Sequence, residues 1–139
     1  MKILMVDDNP ADIDLVDEGL ARCKVKVELC SVQDGAQAVE FLQSWDAALP
    51  NMVLLDVNLP KKGGRVVLRS IKNDPRLRWL PVVMFSTSKA PSDICSCYES
   101  GANSYVVKPG CLSEFFSAVR SLSEYWLECA ILPARSMHG

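Results

Sequence analysis

A chain of 139 residues, 49% hydrophobic and 23% charged, has the size of one compact domain and leaves little for a second folded module. Seventeen acidic against fifteen basic residues give a net charge of −2, so no overall positive field draws it to nucleic acid or anionic lipid. No apolar run approaches the roughly 20 residues that span a bilayer. Asp7-Asp8 also end the apolar stretch 3–6 before it reaches signal-peptide length, so the chain is expected to be cytoplasmic, with neither nucleic acid nor membrane as partner.

The six cysteines, Cys23, Cys30, Cys95, Cys97, Cys111 and Cys129, are expected as reduced thiols, because a chain of this size and apolar content can build a core without disulfide staples. A zinc site is not expected either: there is no C-x2-C pair, and the one histidine, His138, stands next to the last residue.

The first apolar run, 3–6, ends in Asp7-Asp8. Asn9-Pro10 then reads as an N-cap with proline in the first turn of a helix over about 10–23, with Ile13, Val16 and Leu20 on its buried face. The second run, 25–30, is broken by Lys26 and Glu28, as suits a strand at an exposed edge. Asp34 with Gln37 three residues on forms a capping-box pattern. Ala38, Val39, Phe41, Leu42 and Trp45 supply the buried side of the helix it starts, which closes before Pro50. The third run, 52–55, leads through Asp56 to a helix over about 64–73, stopped by Asp74-Pro75. The fourth, 82–85, is followed by Ser86-Thr87 and a helix over about 92–100 that ends at Gly101. The fifth, 105–107, runs into Lys108-Pro109, and Ser113 is placed to cap a last helix with Phe115, Val119, Leu122 and Trp126 on one face. Every run but the second is continuous, the pattern of parallel strands covered on both faces, and strands alternating with helices build βαβ crossovers around a parallel sheet.

In such a sheet ligands bind outside the carboxyl ends of the strands. The residues standing there are Asp7-Asp8, Asp56, Ser86-Thr87 and Lys108-Pro109. An acid after a strand often only caps a helix, and a serine often only starts a loop. Four such strand ends on one rim form a site. Carboxylates gathered without compensation repel one another, so the group implies a bound cation as well as the lysine. An oxygen-only ligand set suits Mg2+, which is usually completed by phosphate oxygens, and a lysine and a hydroxyl beside it point to a phosphoryl group. The chain has no G-x-x-x-x-G-K-[ST] loop and no G-x-G-x-x-G fingerprint, so nucleotide is not the obvious source. The phosphoryl group can instead reside on an aspartate, a competent nucleophile.

Asp7-Asp8, Asp56, Ser86 and Lys108-Pro109, spaced across five strand–helix units, resemble the receiver domain of two-component response regulators, over about residues 2–127. The stretches Asp56-Val-Asn-Leu-Pro60 and Gly101-Ala-Asn-Ser-Tyr105-Val-Val-Lys108-Pro109 carry the resemblance further. Within that family, Val6-Asp-Asp-Asn-Pro-Ala-Asp12, Asn58-Leu-Pro-Lys-Lys62 and the region from Tyr125-Trp126-Leu127 to Leu132-Pro133 look most like the stand-alone regulators paired with bacterial and cyanobacterial phytochromes. The resemblance implies a doubly wound five-stranded parallel sheet in strand order 2-1-3-4-5, flavodoxin- or CheY-like, with helices on both faces. It implies that Asp56 accepts a phosphoryl group from a sensor histidine kinase. Mg2+ would be held by the side chains of Asp8 and Asp56, the backbone carbonyl of Asn58 and, through water, Asp7. Lys108 would pair with the phosphoryl oxygens or, before phosphorylation, with Asp56. Ser86 would bond a phosphoryl oxygen, Tyr105 would be an aromatic switch that turns inward when Ser86 moves, and Lys108-Pro109 would carry a cis peptide.

Some positions depart from the commoner pattern. Ser86 replaces a frequent threonine and keeps the hydroxyl without the methyl, and Gly63-Gly64 replaces a commoner Asp-Gly. Lys61, Lys62, Arg65, Arg69, Lys72, Arg76 and Arg78 form a basic stretch whose spacing is that of an ordinary solvated helix face. Residues 128–139 fall outside the alternation as a tail. Tyr125, Trp126, Leu127, Ile131 and Leu132 extend apolar character there and suggest a homodimer across the face of the last two helices, against the plainer alternative of a tail folded back on its own domain. With no room for an output module, signalling is expected to go through protein contact, and no chemistry is expected beyond the protein's own phosphorylation and dephosphorylation. Two other readings are weaker: a phosphorylation-independent scaffold, and an aspartate-nucleophile phosphatase of the haloacid dehalogenase type, which needs D-x-D after its first strand where this chain has adjacent Asp7-Asp8.

Overall fold

The computed structural model describes residues 1–44 and 48–133. Five parallel strands, β1 (Lys2–Val6), β2 (Glu28–Val32), β3 (Met52–Leu55), β4 (Val82–Ser86) and β5 (Ser104–Val107), lie in the order β2-β1-β3-β4-β5. Helices α1 (Pro10–Ala21), α2 (Gly35–Gln43), α3 (Gly64–Asn73), α4 (Pro91–Glu99) and α5 (Leu112–Ser123) connect or follow them.

Residues of alternate parity on each strand feed separate cores on the two faces of the sheet. Leu4, Val6, Val53, Leu55, Val82 and Met84 pack with Leu42, Leu68 and Ile71 from α2 and α3. Ile3, Met5, Met52, Leu54, Val83 and Phe85 pack on the opposite face with Val16, Leu20, Phe115 and Val119 from α1 and α5. Phe85 meets Phe115 edge to face at 5.4 Å. Two covered faces explain why the central strands read as unbroken apolar runs. β5 also has an unbroken run, yet it is a half-buried edge strand like β2.

The second strand begins three residues later than its apolar run. Pairing fixes it, since Lys2 stands opposite Glu28 and Val6 opposite Val32, and the Glu28 N–H donates to the Met1 carbonyl at 2.8 Å. Helix α1 stops at Ala21 because Arg22 closes it, its N–H reaching the Gly19 and Leu20 carbonyls. Helix α4 starts at Pro91, a residue ahead of expectation, in keeping with proline's fitness for the first turn. Its end is set by Gly101 at φ +103°, a conformation glycine adopts without strain. Ser113 does not cap α5: the cap is Cys111, whose carbonyl accepts from the Phe115 N–H at 3.0 Å, and Ser113 lies inside the first turn. Asp34 does cap α2, accepting from the Gln37 N–H at 2.8 Å, while Gln37 turns back to the Gln33 N–H rather than to Asp34. Trp45 and His138 lie outside the described residues.

The final helix does not end where its α-helical bonding does. It continues as a π-helical segment over Glu124–Cys129, which buries Leu127 in the second core and packs Trp126 against it. No helix among the described residues is long and apolar enough to cross a membrane.

Candidate phosphoacceptor site

Hydrogen-bond ladders run past the strand ends and fix the rim residues. The Asp7 N–H donates to the Val32 carbonyl at 3.1 Å, Asp56 to Val6 at 3.0 Å, and Lys108 to Ser86 at 2.8 Å. One sheet therefore delivers Asp7, Asp56, Ser86 and Lys108 to the same place. All four are buried, whereas Asp8, Asn58 and Thr87 are exposed.

The Lys108 ammonium is the centre of the cluster. Its Nζ lies 2.6 Å from Asp7 Oδ2, 2.8 Å from Asp12 Oδ2 and 3.2 Å from Asp56 Oδ2. Burial by itself would push the Lys108 pKa down, but hydrogen bonds to Asp12 and Asp7 and the charges of Asp56 and Asp7 outweigh it and hold the ammonium above the ordinary lysine range. Asp7 moves the other way for an acid. Burial raises its pKa and the Asp56 charge adds to this, against bonds from Lys108 and the Asn9 N–H. Asp12 is the member that sequence reasoning missed. Its signal was its position in the first turn of the helix that leaves the rim, where an acid is ordinarily taken as favouring the helix dipole.

Further hydrogen bonds tie down the remaining rim. The Asn58 N–H donates to Asp56 Oδ1 at 3.2 Å, and the Ser88 N–H to Ser86 Oγ at 3.3 Å. Ser88 Oγ donates to Asp93 Oδ2 at 2.6 Å, and the Tyr105 hydroxyl to the Ser88 carbonyl at 2.8 Å. Tyr105 thus already lies against the loop after β4. On its other side its N–H donates to the Tyr98 hydroxyl at 3.1 Å, tying the edge of β5 to α4. The Lys108–Pro109 bond is not cis; no peptide bond among the described residues is. The trans form is the intrinsically favoured one before proline, and with it Lys108 already reaches all three carboxylates.

Carboxylate oxygens of Asp7, Asp8 and Asp56 come within 4.8 Å of one another. An all-oxygen set of three acids at the mouth of a buried cluster fits a hard divalent cation. Behind it, Gly64 admits the close approach of the loop: a Cβ there would stand 2.0 Å from the Asp56 carbonyl oxygen. Of the basic stretch, Lys72 and Arg76 are structural. Lys72 Nζ donates to the Leu80 carbonyl at 2.7 Å and to Asn103 Oδ1 at 3.0 Å, and Arg76 to the Leu42 carbonyl. Tyr125, Trp126 and Leu127 are apart from the rim, on the π-helical segment.

A parallel sheet in this order, with acids after β1 and β3, a hydroxyl at the end of β4 and a lysine after β5, defines a phosphoacceptor module. The chain belongs to the response regulator receiver domain family, whose sequence pattern matches residues 3–120. Response regulator Rcp1 of Synechocystis sp. is 41% identical over 136 residues, covering 95% of this chain and 92% of Rcp1. The phosphorylated cyanobacterial phytochrome response regulator RcpA superposes with a TM-score of 0.92 at 44% identity, over 96% of this chain and 98% of its own. The Mn(2+)-bound form of Rcp1 does so with a TM-score of 0.91 at 41% identity, over 96% and 99%. This chain is a receiver-domain response regulator related to the phytochrome-associated ones.

Proposed function

We propose that the protein is a stand-alone regulator, with residues 1–127 as its receiver and 128–139 as a tail, that takes a phosphoryl group onto Asp56 from a phosphohistidine of a sensor histidine kinase of the phytochrome type and signals by protein contact. The observation that carries this reading is the gathering of Asp56, Asp7 and Lys108 at one buried rim. An Asp56 carboxylate oxygen forms the bond to phosphorus as the phosphorus–nitrogen bond breaks and its electron pair leaves with the imidazole. Lys108 pairs with Asp56 at 3.2 Å before attack and then donates to the phosphoryl oxygens. The Ser86 hydroxyl is the nearby neutral donor. Mg2+ would be held by Asp7, Asp8, Asp56 and the Asn58 carbonyl, and would neutralise charge on the transferring group. The Mn(2+)-bound state of Rcp1 and the all-oxygen cluster here support that assignment.

The output runs through Tyr105. Its ring bridges the loop after β4 and the edge strand, so a shift of Ser86 toward a phosphoryl oxygen moves the loop to which Tyr105 is bonded. The face beyond, between β5 and α5, holds a groove of about 400 Å³ floored by Val106, Leu122 and Trp126, with Tyr125 on its rim. We assign a homodimer contact to this face. The compartment of the reaction is that of the kinase's phosphohistidine, the cytoplasm. The test is phosphotransfer from a radiolabelled phytochrome-type histidine kinase: label passes to the intact protein and not to Asp56→Asn. Equal labelling of both would refute the assignment of the acceptor.

A further inference from the structure

We propose that Asp12 is a positioning residue that competes with the phosphoryl group for Lys108, and so sets how tightly the phosphorylated state is held. The inference rests on Asp56 being the phosphoacceptor. An ammonium has three N–H donors, and Lys108 spends them on Asp7 at 2.6 Å, Asp12 at 2.8 Å and Asp56 at 3.2 Å. A phosphoryl group on Asp56 adds nearly two negative charges and new acceptors just beyond that carboxylate. Moving the Asp56 bond onto a phosphoryl oxygen gives Lys108 one such contact; a second comes only by giving up Asp7 or Asp12.

Burial decides which one. Asp7 has a side chain 1% exposed, so water cannot replace the 2.6 Å bond that it would lose with Lys108. Asp12 is 18% exposed and can be rehydrated at far lower cost. Lys108 is also the ion-pair partner that Asp12 has among the described residues. Asp12 sits on the first turn of α1, where the Asn9 side chain accepts from its backbone N–H at 3.4 Å, so its carboxylate is held at the rim by the same cap that starts the helix. Breaking the Asp12–Lys108 pair is thus a cost of reaching the phosphorylated state, and removing the charge of Asp12 lifts it.

The test is binding of fluoroberyllate, an acyl-phosphate mimic, to the full chain with Mg2+ present, followed by calorimetry. Asp12→Asn is expected to bind it roughly fivefold more tightly than wild type, the scale of one partly hydrated charged hydrogen bond. Asp14→Asn, which neutralises an exposed acid on the same helix that has no ion pair to Lys108, is expected to leave the affinity unchanged. In a Lys108→Ala background the gain from Asp12→Asn is expected to vanish, as coupling through Lys108 requires. Unchanged or weaker binding by Asp12→Asn overturns the proposal, as does an equal gain from Asp14→Asn, which would reveal only a long-range charge effect. Wild-type protein that does not bind fluoroberyllate overturns the phosphoacceptor reading itself, and the proposal with it.

Discussion

One buried ammonium bonds three carboxylates and offsets one of their three charges, so the cluster depends on Lys108 more than on any single acid. Its side chain is 4% exposed, and its removal leaves Asp7 and Asp56 facing each other away from water. Lys108→Ala is expected to cost about 3 kcal/mol in urea unfolding at neutral pH, a deficit that shrinks when Mg2+ is added. Tyr105 gives a second handle. Burial, opposed by its contacts to Ser88 and Ser86, raises its hydroxyl above the ordinary value of 10.0. A raised pKa means that its contribution to stability is full below pH 10 and is lost as pH rises through the folded-state value. Ultraviolet titration should therefore show a tyrosine component ionising above the ordinary value, and Tyr105→Phe should delete that component. The rim acids, Ser86 and Lys108 were legible in the sequence because each ends an apolar run. Asp12 was not, because a helix's first turn is where acids stand for a local reason, and only three-dimensional placement shows it bonded to a residue 96 positions away.

Elements were legible wherever local chemistry alone decides them. Asn9-Pro10 starts α1, Asp34 caps α2, and Asp74-Pro75 stops α3 as their side chains dictate. Two features that were misplaced are set by a partner. β2 takes its register from β1 across Lys2 and Glu28, and Leu127 is drawn into the core by a π-helical turn that no periodicity announces. The cis peptide implied by family resemblance was not local information either, and this chain reaches its carboxylates without it. Close approach is an element-scale requirement too. At Gly64 an added methyl would meet the Asp56 carbonyl at 2.0 Å and the Val57 Cα at 2.8 Å, backbone atoms that cannot move aside cheaply. Gly64→Ala should therefore lose about 2 kcal/mol or more by thermal unfolding and slow phosphorylation, since the shift falls on the acceptor's own peptide.

At the scale of the whole molecule, alternating runs and helices gave the parallel sheet and its rim, because two covered faces leave an unmistakable apolar pattern on the central strands. The outer surface is less legible. Trp126 and Leu127, which look like a sticky end in the sequence, turn inward, and what stays out is Tyr125, 55% exposed, and Ile131, 98% exposed. A dimer across this face is expected to weaken on Tyr125→Ser or on deletion of 128–139; light scattering that shows a monomer for the intact protein would remove the case for it. The central claim is that the buried rim takes a phosphoryl group at Asp56, and its most direct test is intact-mass measurement after acetyl phosphate treatment, with and without Mg2+. A single phosphoryl adduct that requires Mg2+ and is absent from Asp56→Asn is the predicted result; no adduct, or the same adduct on Asp56→Asn, would contradict it.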